Sequence, residues 1–296
     1  MTGLAHQPVL AAEVVRYLRP ERGGVFVDCT VGAGGHARAL LAAGAARLVA
    51  LDRDPRALDE ARGALAAWAD RVELVHADFR ELGVVLDRLD LPLVDGALAD
   101  LGVSSMQLDE PGRGFSFRRD EPLDMRMDPT SGETAADLLA RATEQELADV
   151  IHRFGEERYA RRIARALAAA RREAPIDTTA RLAAVVRRAI PPRAFARIDP
   201  ATRTFQALRI WVNRELEGLD RFLETAAGRL RAGARLVVVA FHSLEDRIVK
   251  RTFRALEARG LMAVLTKHPE TPGEAEVRAN PRARSAKLRA AERIAA

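Results

Sequence analysis

The stretch Val25-Phe26-Val27-Asp28-Cys29-Thr30-Val31-Gly32-Ala33-Gly34-Gly35-His36 constrains this chain more than any other. Three β-favouring apolar residues form a strand buried on both faces, as in a parallel sheet. Gly32, Gly34 and Gly35 follow at once. They let the backbone turn tightly and approach a ligand where a Cβ would clash. A helix is predicted from Ala37 to Ala43. In an open α/β sheet such a turn lies beyond the carboxyl end of its strand, where ligands bind.

The pattern then repeats. Arg47 to Asp52 is a second apolar strand ending in an acid, and Asp54-Pro55 starts a helix. Val72 to Phe79 is a third strand, ending in Asp78 and Phe79. Val94 to Asp100 is a fourth. Four strand–turn–helix units in about 105 residues predict a doubly wound parallel sheet. The alternation stops near residue 109. Loop-like blocks follow, then helices: one opened by the capping-box pattern Thr143-Glu144-Gln145-Glu146, another over Tyr159 to Glu173 and a third over Thr178 to Ile190. We expect a helical insert over 109–205 for substrate recognition, within an α/β domain formed by 1–108 and 206–296. A long helix is predicted from Thr204 to Leu230. A fifth strand spans Arg235 to Phe241, a further one Leu261 to Thr266, and a last short strand in the tail closes the sheet edge.

Gly32-Ala33-Gly34-Gly35-His36-Ala37 fits the dinucleotide pattern G-x-G-x-x-A. Asp52, 20 residues after Gly32, suits a carboxylate that accepts hydrogen bonds from ribose hydroxyls. Asp78 can accept from an adenine amino group, and Phe79 can stack on the base. Two cofactors meet these demands: a nicotinamide dinucleotide and S-adenosyl-L-methionine. Asp28 tilts the choice toward the second, since a carboxylate there can reach a cationic amino-acid end and would sit badly against a pyrophosphate; as a purely structural residue it caps the turn. Asp100, at the tip of strand four, is the candidate catalytic residue. A carboxylate accepting one N–H of an exocyclic amine orients that weak nucleophile and favours the charge it develops.

Cys29, the single cysteine, lies within strand one and reads as an apolar filler; one cysteine excludes a disulfide framework. His6, His36, His76 and His242 are too scattered for a metal site, and none is expected. No stretch approaches the roughly 20 apolar residues of a membrane span, and no leader pattern opens the chain, so a cytoplasmic location is expected. Charge is uneven. Residues 1–108 carry 11 basic and 15 acidic side chains, residues 153–209 carry 14 and 5, and residues 247–296 carry 12 and 5. Basic segments beside an acidic cofactor domain fit a nucleic-acid partner, or a solvated Arg-rich face. Arg158, Arg161, Arg162, Arg165 and Arg172 recur at helical steps and share that ambiguity.

The chain resembles the bacterial MraW/RsmH family of small-subunit ribosomal RNA cytosine-N4 methyltransferases. The matching blocks are His6 to Leu10, Asp28 to His36, Asp100 to Asp109, Gly112 to Phe117, Pro122 to Met127, Arg203 to Ile210, Phe241 to Arg247 and Asn280 to Arg289. The resemblance implies a Rossmann-like class I methyltransferase sheet with an inserted all-helical domain. It implies S-adenosyl-L-methionine as donor and N4 of a cytidine in 16S ribosomal RNA, within the small ribosomal subunit, as acceptor. By position, the family's cofactor contacts fall on Gly34, Gly35, His36, Asp52, Phe79, Asp100 and Gln107. Ser104, Ser105, Phe115, Phe117 and His242 are candidate substrate residues. Asp100-Leu101-Gly102-Val103 lacks the proline pair that follows strand four in many amino methyltransferases. Related proteins also admit a homodimer. A nicotinamide-dependent oxidoreductase and a non-catalytic RNA-binding protein are the rival readings; the first leaves Asp28 unexplained, and intact acids at Asp28, Asp52 and Asp100 argue against the second.

Overall fold

A computed structural model describes residues 8–191 and 199–294. His6 and Gln7 of the first matching block lie outside them. The chain forms two compact units, one running to Gly102 and resuming at Leu216, the other Val103–Glu215.

The first unit is built on seven strands: β1 (Val25–Asp28), β2 (Arg47–Asp52), β3 (Val72–His76), β4 (Val94–Asp100), β5 (Leu230–Ala240), β6 (Met262–Val264) and β7 (Lys287–Arg293). Their order is β3-β2-β1-β4-β5-β7-β6. The first five are parallel, and β7 runs antiparallel to both neighbours. This is the Rossmann-like α/β sheet predicted. The chain steps outward from β1 to β3 and then returns to place β4 on the other side of β1. That reversal puts the switch point, and the crevice it opens, at the carboxyl ends of β1 and β4.

Alternation within each strand explains why both faces are covered. Phe26, Leu48, Ala50, Leu98 and Val237 join one buried cluster, and Val27, Val49, Leu51, Ala97 and Val238 join the other. Helices α1 (Ala11–Leu18), α2 (Gly35–Ala42) and α3 (Pro55–Ala64) supply Val14, Leu40 and Leu58 to the first. Helices α4 (Leu82–Arg88), α11 (Leu219–Gly228) and α12 (Ser243–Ala258) supply Leu86, Phe222 and Phe253 to the second. Cys29 is buried among these apolar side chains, and burial pushes its thiol well above the ordinary value. A short helix α13 (Glu274–Ala279) precedes β7.

The second unit is helical: α5 (Ser105–Asp109), α6 (Ala135–Arg141), α7 (Glu144–Gly155), α8 (Ala160–Glu173), α9 (Thr179–Ala189) and α10 (Ala201–Asn213). It has its own core, including Leu147, Ile151, Ile163, Leu167, Leu182, Phe205 and Leu208. The Thr143–Glu146 capping box forms at the start of α7 as read from the sequence. The insert expected over 109–205 therefore begins earlier and ends later, because Val103 and Leu108 pack against this core and Phe205 and Leu208 lie inside it.

Two further expectations are corrected. The helix predicted from Thr204 to Leu230 is two helices. Arg214 turns left-handed (φ 50°) after Asn213, and Gly218 does so (φ 68°) before Leu219. The apolar spacing reads through the break because Phe205 and Leu208 serve one core while Leu219 and Leu223 serve another. The tail strand β7 does not close an edge. It lies between β5 and β6, with Val238 opposite Arg289 and Ala263 opposite Glu292. No helix among the described residues is long and apolar enough to cross a membrane.

Candidate active site

The glycine turn and the tips of β1, β2 and β4 are tied by a few hydrogen bonds. Leaving β1, the Cys29 amide donates to Leu98 O (2.9 Å) and the Val31 amide to Leu51 O (2.8 Å), so the turn hangs between the two neighbouring strands. Gly32 N donates to Asp52 Oδ2 at 2.8 Å, and Asp54 N donates to Asp52 Oδ1 at 2.9 Å. Asp52 thus braces the turn as well as ending β2. Thr30, which the sequence reading passed over, fixes the other side: its Oγ1 accepts from Asp100 N at 2.6 Å. Only its place beside Asp28 in the strand-one motif could have drawn attention to it.

The glycines do different things. Gly32 is left-handed (φ +52°), and a Cβ there would meet nothing within 4 Å, so the turn faces open space at that point. Gly34 is also left-handed (φ +83°) and caps α2. Gly35 begins α2 closely packed, and its Cβ would stand 3.2 Å from the Pro8 ring.

Asp28, His36 and Asp100 come together beside this turn. Asp28 is fully buried. Its Oδ1 accepts from Thr30 N at 3.1 Å, while Oδ2 has no hydrogen-bond partner among the described residues. His36, in the first turn of α2, is buried, and its Nε2 lies 3.5 Å from Asp100 Oδ2. That is long for a hydrogen bond. Both imidazole nitrogens and Asp100 Oδ1 are buried without hydrogen-bond partners among the described residues. Unsatisfied buried polar atoms are costly and uncommon, and several of them lie around this one turn.

The electrostatics follow from burial and proximity. Burial raises the Asp28 carboxyl to about 7; the His36 ring and the Thr30 amide oppose that rise, and Asp100 and Asp52 add to it. Burial likewise raises Asp52 to about 6, against the pull of the Asp54 and Gly32 amides. Burial alone would lower His36, but Asp100, then Asp28 and Glu276, outweigh it and leave the imidazole raised. Glu276, on α13, is a second residue that no local sequence pattern connects with the turn. Its Oε1 accepts from Leu10 N at 2.8 Å.

The other predicted residues of this unit sit around the same sheet edge in more settled surroundings. Asp78 caps the turn after β3 and is held by Arg80 (Nε to Oδ1, 2.7 Å) and approached by Arg53 (3.5 Å). Its own burial opposes ionisation, but the Arg80 bonds prevail and hold it below the usual carboxylate range. Phe79 packs on Phe222, ring centroids 4.8 Å apart. His242 caps α12 in a box with Glu245, its Nε2 3.1 Å from Glu245 Oε1.

The remaining candidates belong to the helical unit. Ser104 and Gln107 form a reciprocal capping box at α5, Gln107 N donating to Ser104 Oγ at 3.2 Å, and Ser105 is the first residue of that helix. Phe115 is buried in the insert's core. Phe117 meets Phe205 edge-on at 4.8 Å, with the Arg187 guanidinium 5.5 Å from its ring. Both rings therefore help hold the insert together.

With this geometry in view, the chain's relatives can be placed. The sequence model of the MraW methylase family matches residues 3–294. A ribosomal RNA small subunit methyltransferase H of Sorangium cellulosum is 53% identical over 292 residues, 99% of this chain and 92% of that protein. Its namesake in Nitrobacter winogradskyi is 51% identical over 304 residues, 98% of this chain and 91% of that protein. Solved structures are more distant. An O-methyltransferase from Bacillus cereus aligns over 98% of this chain and 84% of its own, with a TM-score of 0.47 and 9% identity.

Proposed function

Since the chain belongs to the MraW methylase family, we propose that it transfers a methyl group from S-adenosyl-L-methionine to the exocyclic N4 of a cytidine in small-subunit ribosomal RNA. The observation that carries this reading is the set of partnerless buried atoms on Asp28, His36 and Asp100 beside the open face of Gly32. A ligand with a cationic amino-acid end satisfies Asp28 Oδ2. A pyrophosphate there would meet a carboxylate, which disfavours a nicotinamide dinucleotide.

Asp28 and the glycine turn hold the amino-acid end of the donor, and Asp52 faces its ribose while bracing the turn. Asp78 and Phe79 stand on the adenine side. When bound, S-adenosylmethionine supplies an electrophilic methyl group on a sulfonium. The protein's own part in the chemistry falls to Asp100. Its partnerless Oδ1 accepts one N–H of the incoming amine, aligns the nitrogen lone pair and is positioned to receive the proton the product nitrogen sheds. The cytidine must leave its stack or already be unpaired to present N4 at this edge. The helical insert supplies substrate recognition, with Ser104 and Ser105 at the start of α5, and Gln107 on that helix is a contact of the cofactor.

The test is mass spectrometry of small-subunit RNA nucleosides from cells with and without the protein. The N4-methylcytidine signal should vanish without it and return when the intact gene is restored. An unchanged signal counts decisively against the assignment.

A further inference from the structure

Most arginines of the helical unit are already committed. Arg126, Arg141, Arg187, Arg203 and Arg209 have carboxylate partners, and Arg171 and Arg181 donate to backbone carbonyls. Arg158, Arg161 and Arg162 are different. All three are exposed, and among the described residues none has an ion-pair partner. They line one cavity of about 420 Å³ together with Tyr159, His152 and Asp149. Among the described residues that line it, Asp149 is the only acid, and it accepts from Gln145 Nε2 at 2.9 Å.

Two features give this cavity a chemical preference. The uncompensated guanidiniums attract a polyanion and offer the paired donors that suit phosphate oxygens. The Arg158 guanidinium lies over the Tyr159 ring, 4.7 Å from its centroid, which makes a flat cationic platform of the kind on which unpaired bases stack. Phosphate and base contacts side by side fit a single-stranded nucleotide better than an acidic peptide, which has no use for the platform.

We propose that this cavity of the insert is a second RNA-binding site, gripping a single-stranded stretch of the substrate other than the methylated cytidine. Arg161 and Arg162 take phosphodiester oxygens, and Arg158 on Tyr159 supports a base. The inference rests on the reading that the substrate is small-subunit ribosomal RNA, and it adds a place where that RNA is held.

The experiment compares the full-length protein with R158A/R161A/R162A and with R158K/R161K/R162K, using both protein-free small-subunit RNA and assembled small subunits. Because the three side chains are exposed, thermal melting and S-adenosylhomocysteine binding should match the wild type. The alanine variant should raise KM for RNA about tenfold or more and lower the slope of log affinity against log salt by about 1.4, at roughly 0.7 for each of the two single-strand phosphate contacts. The lysine variant should keep most of the salt slope while losing the stacking share of affinity. An alanine variant with wild-type KM and salt slope overturns the proposal. So does a variant weakened on assembled subunits but not on protein-free RNA, which would assign the cavity to an acidic ribosomal protein. Failure of the wild type itself to label small-subunit RNA instead removes the underlying functional reading.

Discussion

His36 Nε2 and Asp100 Oδ2 stand 3.5 Å apart in a buried setting, joining the first turn of α2 to the tip of β4. The ring is raised above its ordinary value because Asp100, Asp28 and Glu276 outweigh the effect of burial. An imidazole so placed bears on where the Asp100 carboxylate points. For a histidine with a raised folded value, the stabilisation is complete below about 6.5 and is lost as pH rises through the folded value. H36N should therefore remove that part of the stability loss above pH 6.5, measured by urea unfolding across pH. It should also lower kcat by roughly tenfold or more, since Asp100 loses its preorganising partner. Rescue of kcat by H36Q, which cannot carry charge, would show that charge is irrelevant here.

Asp28 predicts the opposite use of a proton. Its folded value of about 7 lies above that of an unfolded aspartate, so the folded state binds the extra proton and stability falls as pH rises from about 4 to about 7. D28N keeps the shape without the charge. It should be no more stable than wild type near pH 4 and more stable by about 2–4 kcal/mol above pH 7.5. A bound ammonium group reverses this preference, so wild-type affinity for S-adenosylhomocysteine should rise between pH 6 and 8, and D28N should lose both affinity and the pH trend. Calorimetry showing D28N binding as tightly as wild type would remove Asp28 from the site.

Gly32 and Asp52 separate stability from binding. G32A places a methyl group in open space at φ +52°, so its stability loss should stay near the 1–2 kcal/mol of a left-handed alanine. The methyl group occupies the face toward the ligand, and affinity for S-adenosylhomocysteine should fall by more than stability does. D52A leaves the Gly32 and Asp54 amides without their acceptor. It should lower the melting temperature and weaken ligand binding by roughly 1–3 kcal/mol together. A G32A protein that binds normally would place the ligand elsewhere.

Much of this site is visible in the sequence for a simple reason. Asp28, Asp52 and Asp100 each end an apolar run, and parallel strands deliver their tips to one edge. What the sequence conceals is contact between residues far apart in the chain. Nothing in the local pattern joins Thr30 to Asp100 or Glu276 to His36. The same holds for the break between α10 and α11, where apolar spacing continues across Arg214 although the two helices bury their faces in different cores. The place of β7 inside the sheet is likewise a pairing choice that its own seven residues do not state.

Asn213 is the sharpest case of such concealed work and gives a further test. It ends α10, and its side chain clamps a loop more than 80 residues earlier. Oδ1 accepts from Met127 N at 2.7 Å, and Nδ2 donates to Met125 O at 2.7 Å and to Arg209 O at 2.9 Å. Met125 between these bonds is fully buried and left-handed (φ 64°), a conformation that a methionine adopts only when its surroundings enforce it. Truncation would leave buried backbone groups of the loop without partners, at about 1–3 kcal/mol each. N213A should therefore destabilise the helical unit by roughly 2–5 kcal/mol, and hydrogen exchange should show the amides around Met127 opening first. N213D keeps the acceptor but replaces the donor with a second oxygen facing Met125 O, so it should recover little. If N213A melts as the wild type does and protects the Met127 amide equally well, the loop is held by its apolar packing through Leu123, Met125 and Met127, and the carboxamide clamp is incidental.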